Sequence, residues 1–109
     1  MSERIVVLST VGKPEEAEGI ARALVERGLA ACVNIVPGVV SVYRYKGVLE
    51  REEERLLLIK TRRERFEALR DALVALHPYE VPEAIAIPVE GGHQPYLDWL
   101  DESVGARSR

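Results

Sequence analysis

Two long β-rich runs, Ala30–Tyr45 and Val48–Thr61, are separated by nothing but Lys46-Gly47. A two-residue connection of this kind closes a tight β-hairpin. Arms this long do not fit inside an ordinary small domain. Each has about 14 residues and, at about 3.3 Å per residue, reaches ~45 Å, whereas a chain of this length folds to a diameter near ~35 Å. The first arm also contains Pro37-Gly38. Proline has no N–H to give to a ladder, so the pair marks an edge, a bulge or a bend. The ribbon therefore has to bend at Pro37-Gly38, project from the body, or both. A projecting ribbon leaves open edges, which invite pairing with another chain, and closed homo-oligomers are the usual outcome. The alternative is a ribbon curled over a monomer.

The elements around the hairpin complete a recognisable order. Arg4–Thr10 is a short apolar, β-branched run, which predicts a strand buried on both faces. A helix follows. Pro14 suits its first position, Glu15 and Glu16 suit the positive end of its dipole, and Gly28 suits its stop. Ala17, Ile20, Ala21, Leu24 and Val25 recur at helical spacing. A second helix is predicted over Thr61–Leu76, with Thr61 and Glu64 spaced as a capping box and Phe66, Leu69, Leu73 and Leu76 as its apolar stripe. Two prolines in His77–Glu83 break that pattern. Ala84–Val89 is a fourth strand, and a last short helix starts near Pro95. The tail from Gly105 is expected to fray. Strand-helix-strand-strand-helix-strand plus a terminal helix is the split βαβ pattern of an α+β, ferredoxin-like fold. It places one antiparallel sheet under helices on one face, in a single domain spanning residues 1–109.

Composition narrows the function. The formal net charge is -3 and the arginines are scattered, apart from Arg62, Arg63 and Arg65. That is a poor footprint for nucleic acid, and the basic, aromatic signature of an RNA-recognition module is missing. One cysteine makes no intrachain disulfide. No apolar run has the length of a membrane span or a signal-peptide core. A cytoplasmic, reduced setting is the simplest reading, with no membrane partner. The one asparagine, Asn34, lies in an apolar strand, and no Ser/His/Asp set or phosphate-cradling glycine loop is spelled out. No enzyme is expected.

Four residues carry candidate metal chemistry. Cys32 as thiolate suits soft ions such as Cu(I). Between Ala31 and Val33 it equally suits a strand core, as a small hydrophobe. His77 follows a helix end. It offers an imidazole ligand, or a helix cap ahead of Pro78. Glu80 and Glu83 lie close enough in sequence to complete a hard or borderline site with His77; they equally suit ion pairs with arginines of another subunit. His93 reads as a solvated loop residue. Tyr96 and Trp99 read as packing on the last helix. The run from Glu50 to Arg55 reads as a solvated strand face.

The segments "LAACVNIVPGVVSVYRYKG", "LLLIKTRRERFEAL", "HPYEVPEAIAIPV" and "YLDWL" resemble the CutA family of divalent-cation tolerance proteins, over about Ile5 to Ser103. The resemblance implies a homotrimer of ferredoxin-like protomers joined through the long hairpin. It implies a cytoplasmic, non-enzymatic protein linked to tolerance of copper and other divalent metal ions. It leaves room for a protein partner of unknown identity. Cys32 aligns with a cysteine implicated in copper binding among relatives. Some relatives have further cysteines matching Ser9 and Ala72 and a histidine matching Leu76; this chain lacks all three, so no multi-cysteine site forms within one protomer. The trimer architecture is also similar to that of PII signalling proteins. That adds a second implied class, a trimer sensing a small ligand between subunits, with Lys60, Arg62 and Arg63 as candidate anion contacts.

Overall fold

A computed structural model describes residues 3–105; of the tail expected to fray, Gly105 is described, its N–H donating to the Glu102 carbonyl at 3.2 Å, and 106–109 lie outside the described residues. β1 (Arg4–Val11) is followed by α1 (Pro14–Glu26), β2 (Cys32–Tyr45) and β3 (Val48–Arg62). A 3-10 turn (Arg63–Arg65), α2 (Phe66–Leu76), β4 (Ile85–Pro88) and α3 (Gln94–Ser103) complete the chain. The strands form one antiparallel sheet in the order β2-β3-β1-β4. This is the split βαβ arrangement that the element order predicts.

The sheet has two unlike faces. On β1, Ile5, Val7, Ser9 and Val11 are buried while Arg4, Val6, Leu8 and Thr10 are only half-buried. The expected burial on both faces is therefore incomplete. The buried set joins Leu57 and Ile59 of β3 against Ala17, Ile20 and Leu24 of α1 and Leu69 and Leu73 of α2. Each fully buried Leu or Ile in that layer contributes about 1.5–3 kcal/mol. The other face carries Val6, Leu8, Leu56 and Leu58 with Ile85 and Ile87 beside them in register, and neither α1 nor α2 lies over it.

Local chemistry fixes the element ends. Gly28, at φ 71°, closes α1. Its N–H donates to the Val25 carbonyl and that of Leu29 to the Leu24 carbonyl, each at 3.0 Å, the paired bonds of a Schellman stop. α2 starts differently from the sequence expectation. Thr61 stays in β3, where it is fully buried and its hydroxyl donates to the Leu29 carbonyl at 2.7 Å. The 3-10 turn, not a capping box, leads into α2. Satisfying a buried carbonyl across the core outweighs a cap that water would otherwise supply.

The hairpin projects, as its length requires. The molecule measures 48 × 25 × 22 Å and its radius of gyration is 14.5 Å, above the ~13 Å of a compact chain of this size. Lys46 (φ 51°) and Gly47 (φ 82°) make the turn. In β2, Val36 faces Leu56 but Val39 faces Glu54, so Pro37 and Gly38 stand against Arg55 alone. This is a β-bulge with one extra residue, which bends the strand. Gly38 has φ 76° there, a backbone region that a side chain would strain.

α3 departs from the expectation that all helices share one face. Ala31, Leu100 and Val104 form a second, smaller cluster. Asp101 bridges two arginines from the face opposite the main core. Its Oδ1 accepts from Arg4 Nε at 3.0 Å and its Oδ2 from Arg4 Nη2 at 2.7 Å. Arg62 Nη1 lies 2.8 Å from Oδ1. Arg62 also reaches Glu3 at 2.8 Å and lies 3.2 Å from Glu64. These bonds hold α3 across the sheet end where β1 begins.

Candidate functional site

Cys32 opens β2, on the edge of the sheet, and is half-buried. The Schellman stop and the buried pair Ala30 and Ala31 deliver the chain to this point, and the Ala31 N–H donates to the Lys60 carbonyl at 2.8 Å. Cys32 pairs with Lys60 across the ladder, so both project on the face opposite the main core. The Lys60 ammonium stands 5.8 Å from the centre of the Tyr96 ring. Tyr96 and Trp99 lie ring to ring at 5.4 Å. These aromatics are 40% and 45% exposed, so they are not core packing. At one end of the open face the ammonium and the aromatic pair thus meet, and Cys32 stands opposite Lys60 in the ladder. Cation–π placement keeps such an ammonium next to a flat ring.

His77 lies elsewhere. It caps α2, is buried, and has both ring nitrogens engaged. Nε2 is 2.7 Å from the Thr10 carbonyl and Nδ1 accepts from the Tyr79 N–H at 3.1 Å. These partners assign the ring proton to Nε2. His77 therefore serves as cap and packing in this conformation; to ligate a metal it has to release one of these bonds. Glu80 is exposed and Glu83 half-buried in the loop that follows. Thr10 faces Leu56 and Cys32 faces Lys60, a separation along β3 of about 13 Å. Cys32 and His77 therefore do not meet in one chain, and among the described residues no three His, Cys, Asp or Glu gather as a metal cluster. His93 is exposed just before α3.

The positions at which relatives differ are also placed. Ser9 is fully buried on the core face, and its hydroxyl has no hydrogen-bond partner among the described residues. Ala72 packs at the edge of the core, and Leu76 is partly exposed at the end of α2.

One polar contact was not legible as a site. Glu54, within a run that reads as a solvated strand face, is 5% exposed. It accepts a hydrogen bond from Tyr79 Oη at 2.5 Å. Burial, then the Glu54 carboxylate, holds the Tyr79 hydroxyl well above the ordinary phenol range, so Tyr79 stays a donor. The alternation of the strand gives Glu54 the same face as Leu56 and Leu58; that was the available signal. Glu50 and Glu52 continue the row along the ribbon, and Tyr43, set among them, is shifted upward by desolvation and by their charge.

The model of the CutA1 divalent ion tolerance protein family matches residues 5–103. The chain belongs to this family. The divalent-cation tolerance protein CutA of Thermus thermophilus is 53% identical over 92% of this chain and 97% of that protein. A solved structure of the Thermus thermophilus protein superimposes with a TM-score of 0.89 at 52% identity, covering 92% of this chain and 97% of that one. The chloroplastic CutA of Arabidopsis thaliana is 48% identical over 91% of this chain, which spans 54% of that longer protein. The structure of a periplasmic divalent cation tolerance protein CutA from Archaeoglobus fulgidus gives a TM-score of 0.90 at 42% identity, covering 93% of this chain and 98% of that one. The Thermus thermophilus and Archaeoglobus fulgidus proteins are named for divalent-cation tolerance, not for a reaction. The Arabidopsis name gives a chloroplast location and the Archaeoglobus one a periplasmic location, and no helix among the described residues of this chain is long and apolar enough to cross a membrane.

Proposed function

We propose that this CutA chain is a non-enzymatic, cytoplasmic homotrimer that supports tolerance of copper and related divalent ions by binding them. The observation that carries the reading is the position of Cys32: a lone, half-buried thiol on the edge strand, on the sheet face that α1 and α2 leave open. A soft ion needs several convergent donors, and one chain supplies a single thiolate there. Association supports the missing donors in two ways. The face bearing Val6, Leu8, Leu56 and Leu58 is apolar, and Ile85 and Ile87 next to it are 52% and 43% exposed. The ribbon and β4 also leave both sheet edges open to pairing. On this reading the further donors come from another copy, as its Cys32 or its Glu80 and Glu83. Cys32 fits as a soft ligand as it stands; His77 fits only by giving up a present bond.

The test is an anaerobic Cu(I) and Cu(II) titration of wild type and Cys32→Ser, with oligomer mass followed by light scattering. The expected result is saturable binding in the wild type, weakened at least about tenfold in the variant, a change of about 1.4 kcal/mol, at constant trimer mass. Equal, weak binding in both proteins would sink the role of Cys32.

A second reading, a PII-like trimer sensing a small ligand, rests on the Lys60, Tyr96 and Trp99 group next to Cys32. An ammonium beside exposed aromatic faces suits a flat anionic molecule. If that reading holds, a nucleotide screen raises the melting temperature of wild type, because a ligand that binds only the folded state stabilises it. Lys60→Ala would abolish the rise. No shift with any nucleotide leaves metal binding as the better account.

A further inference from the structure

We infer that Glu54 and Arg55, acting through Tyr79 and Gly12, form a two-sided brace that sets the direction in which the ribbon leaves the body. Three features coincide at this level of β3. Pairing with β1 ends at Val11 opposite Arg55, so beyond it the sheet is only two strands wide. The β-bulge of Pro37 and Gly38 lies against the same Arg55. A two-stranded ribbon is weakly held, and a bulge is a point of bending. Left alone, this junction is a hinge.

Adjacent residues restrain it from opposite faces. Arg55 shares the core face with Leu57, and its Nη1 donates to the Gly12 carbonyl at 2.5 Å, in the turn that follows β1. Glu54, on the other face, accepts from Tyr79 Oη at 2.5 Å. The two arms converge: a β-carbon added at Gly12 would stand 3.5 Å from Tyr79 Oη. Tyr79 is itself anchored, because its N–H bonds His77 Nδ1 while His77 Nε2–H bonds the Thr10 carbonyl. The loop between α2 and β4 thus acts as a strut from the end of β1 to the root of the ribbon. Bending toward either face pulls one of the two bonds. Both involve a charged group, the stronger class of hydrogen bond. Tyr79 and Arg55 are positioning residues. Their use in assembly rests on the homotrimer proposed above, since a ribbon already held in one direction loses less freedom when a second chain pairs with it.

Residual dipolar couplings measured on weakly aligned protein test the brace directly. In wild type, amides of β1 and of ribbon residues 40–45 and 48–53 fit a single alignment tensor. In Tyr79→Phe combined with Arg55→Met, the ribbon amides lose order relative to the body, from the rigid range near S² of about 0.85 toward the flexible range below about 0.6. The body amides keep their couplings, which shows that the variant is folded. Each single variant shows a smaller loss. Glu54→Gln, whose amide oxygen still accepts from Tyr79, retains the single tensor. One tensor fitting the double variant as well as wild type would overturn the brace. So would a loss in Glu54→Gln as large as in Tyr79→Phe. Light scattering on dilution reads the assembly separately: a monomeric wild type would sink the trimer reading and leave the tensor comparison valid.

Discussion

Ile59→Ala lowers the free energy of unfolding by about 3–4 kcal/mol, the cost of the lost methylenes plus the cavity they leave. Ile59 stands at the crossing of the whole architecture. It is fully buried, it faces Val7 of β1 on one side and Val33 of β2 on the other, and it belongs to the layer that α1 and α2 cover. The site cannot collapse easily, because rigid strands flank it on both sides and interiors are close-packed. In urea the midpoint moves down by roughly 2–4 M if the slope is near 1–1.5 kcal/mol/M. Protein concentration has to be held fixed, since self-association adds to apparent stability. A loss under about 1 kcal/mol would mean that the sheet centre is much looser than its burial indicates.

Asp101→Asn is the second large effect, and it carries a pH signature. Arg4, by hydrogen bonding, and then Arg62 hold the Asp101 carboxyl below the ordinary carboxylate range, against the opposing effect of burial. The side chain is 20% exposed, so water screens part of the attraction. The cost at pH 7 is about 1–2 kcal/mol, for charge-assisted bonds reduced to weaker ones. The sign follows from linkage. A carboxyl whose folded pKa is depressed contributes its full stability above its unfolded value near ~3.9, and loses it as pH falls further, through the folded value. Wild type and Asp101→Asn therefore differ most at neutral pH and converge below about pH 4. Denaturation curves collected from neutral pH down to the acid limit check this. A gap that stays constant across that range would show that packing of α3, not the charge of Asp101, holds it in place.

Much of the fold was readable because local signals agreed with the global order. Pro14 and Gly28 bound α1 where composition places them, and Lys46-Gly47 turns the hairpin. The misread start of α2 has a specific cause. Thr61 has the spacing of a capping residue, but a buried carbonyl at Leu29 competes for its hydroxyl, and no sequence window contains both. Glu54 was missed for the same reason, since its partner Tyr79 lies 25 residues away. The candidate site was the least legible part. Cys32 and His77 stand out in the sequence as candidate ligands, but their separation depends on which rungs of β3 they sit beside. Only the ladder register supplies that.

The bulge at Pro37-Gly38 behaves like a dislocation in a lattice. On the face opposite the main core, β2 presents even-numbered residues up to Val36 and odd-numbered ones from Val39 onward, while β3 keeps its parity throughout. Sequence alternation along β2 changes phase there, yet every side chain stays on the face its partner dictates. Removing Gly38 would restore a one-to-one register, with Pro37 opposite Arg55, without moving Tyr43 away from Glu50 or Ser41 away from Glu52. Where the ribbon points and what it displays are therefore independent variables, and a lineage can tilt the arm without rewriting its surface.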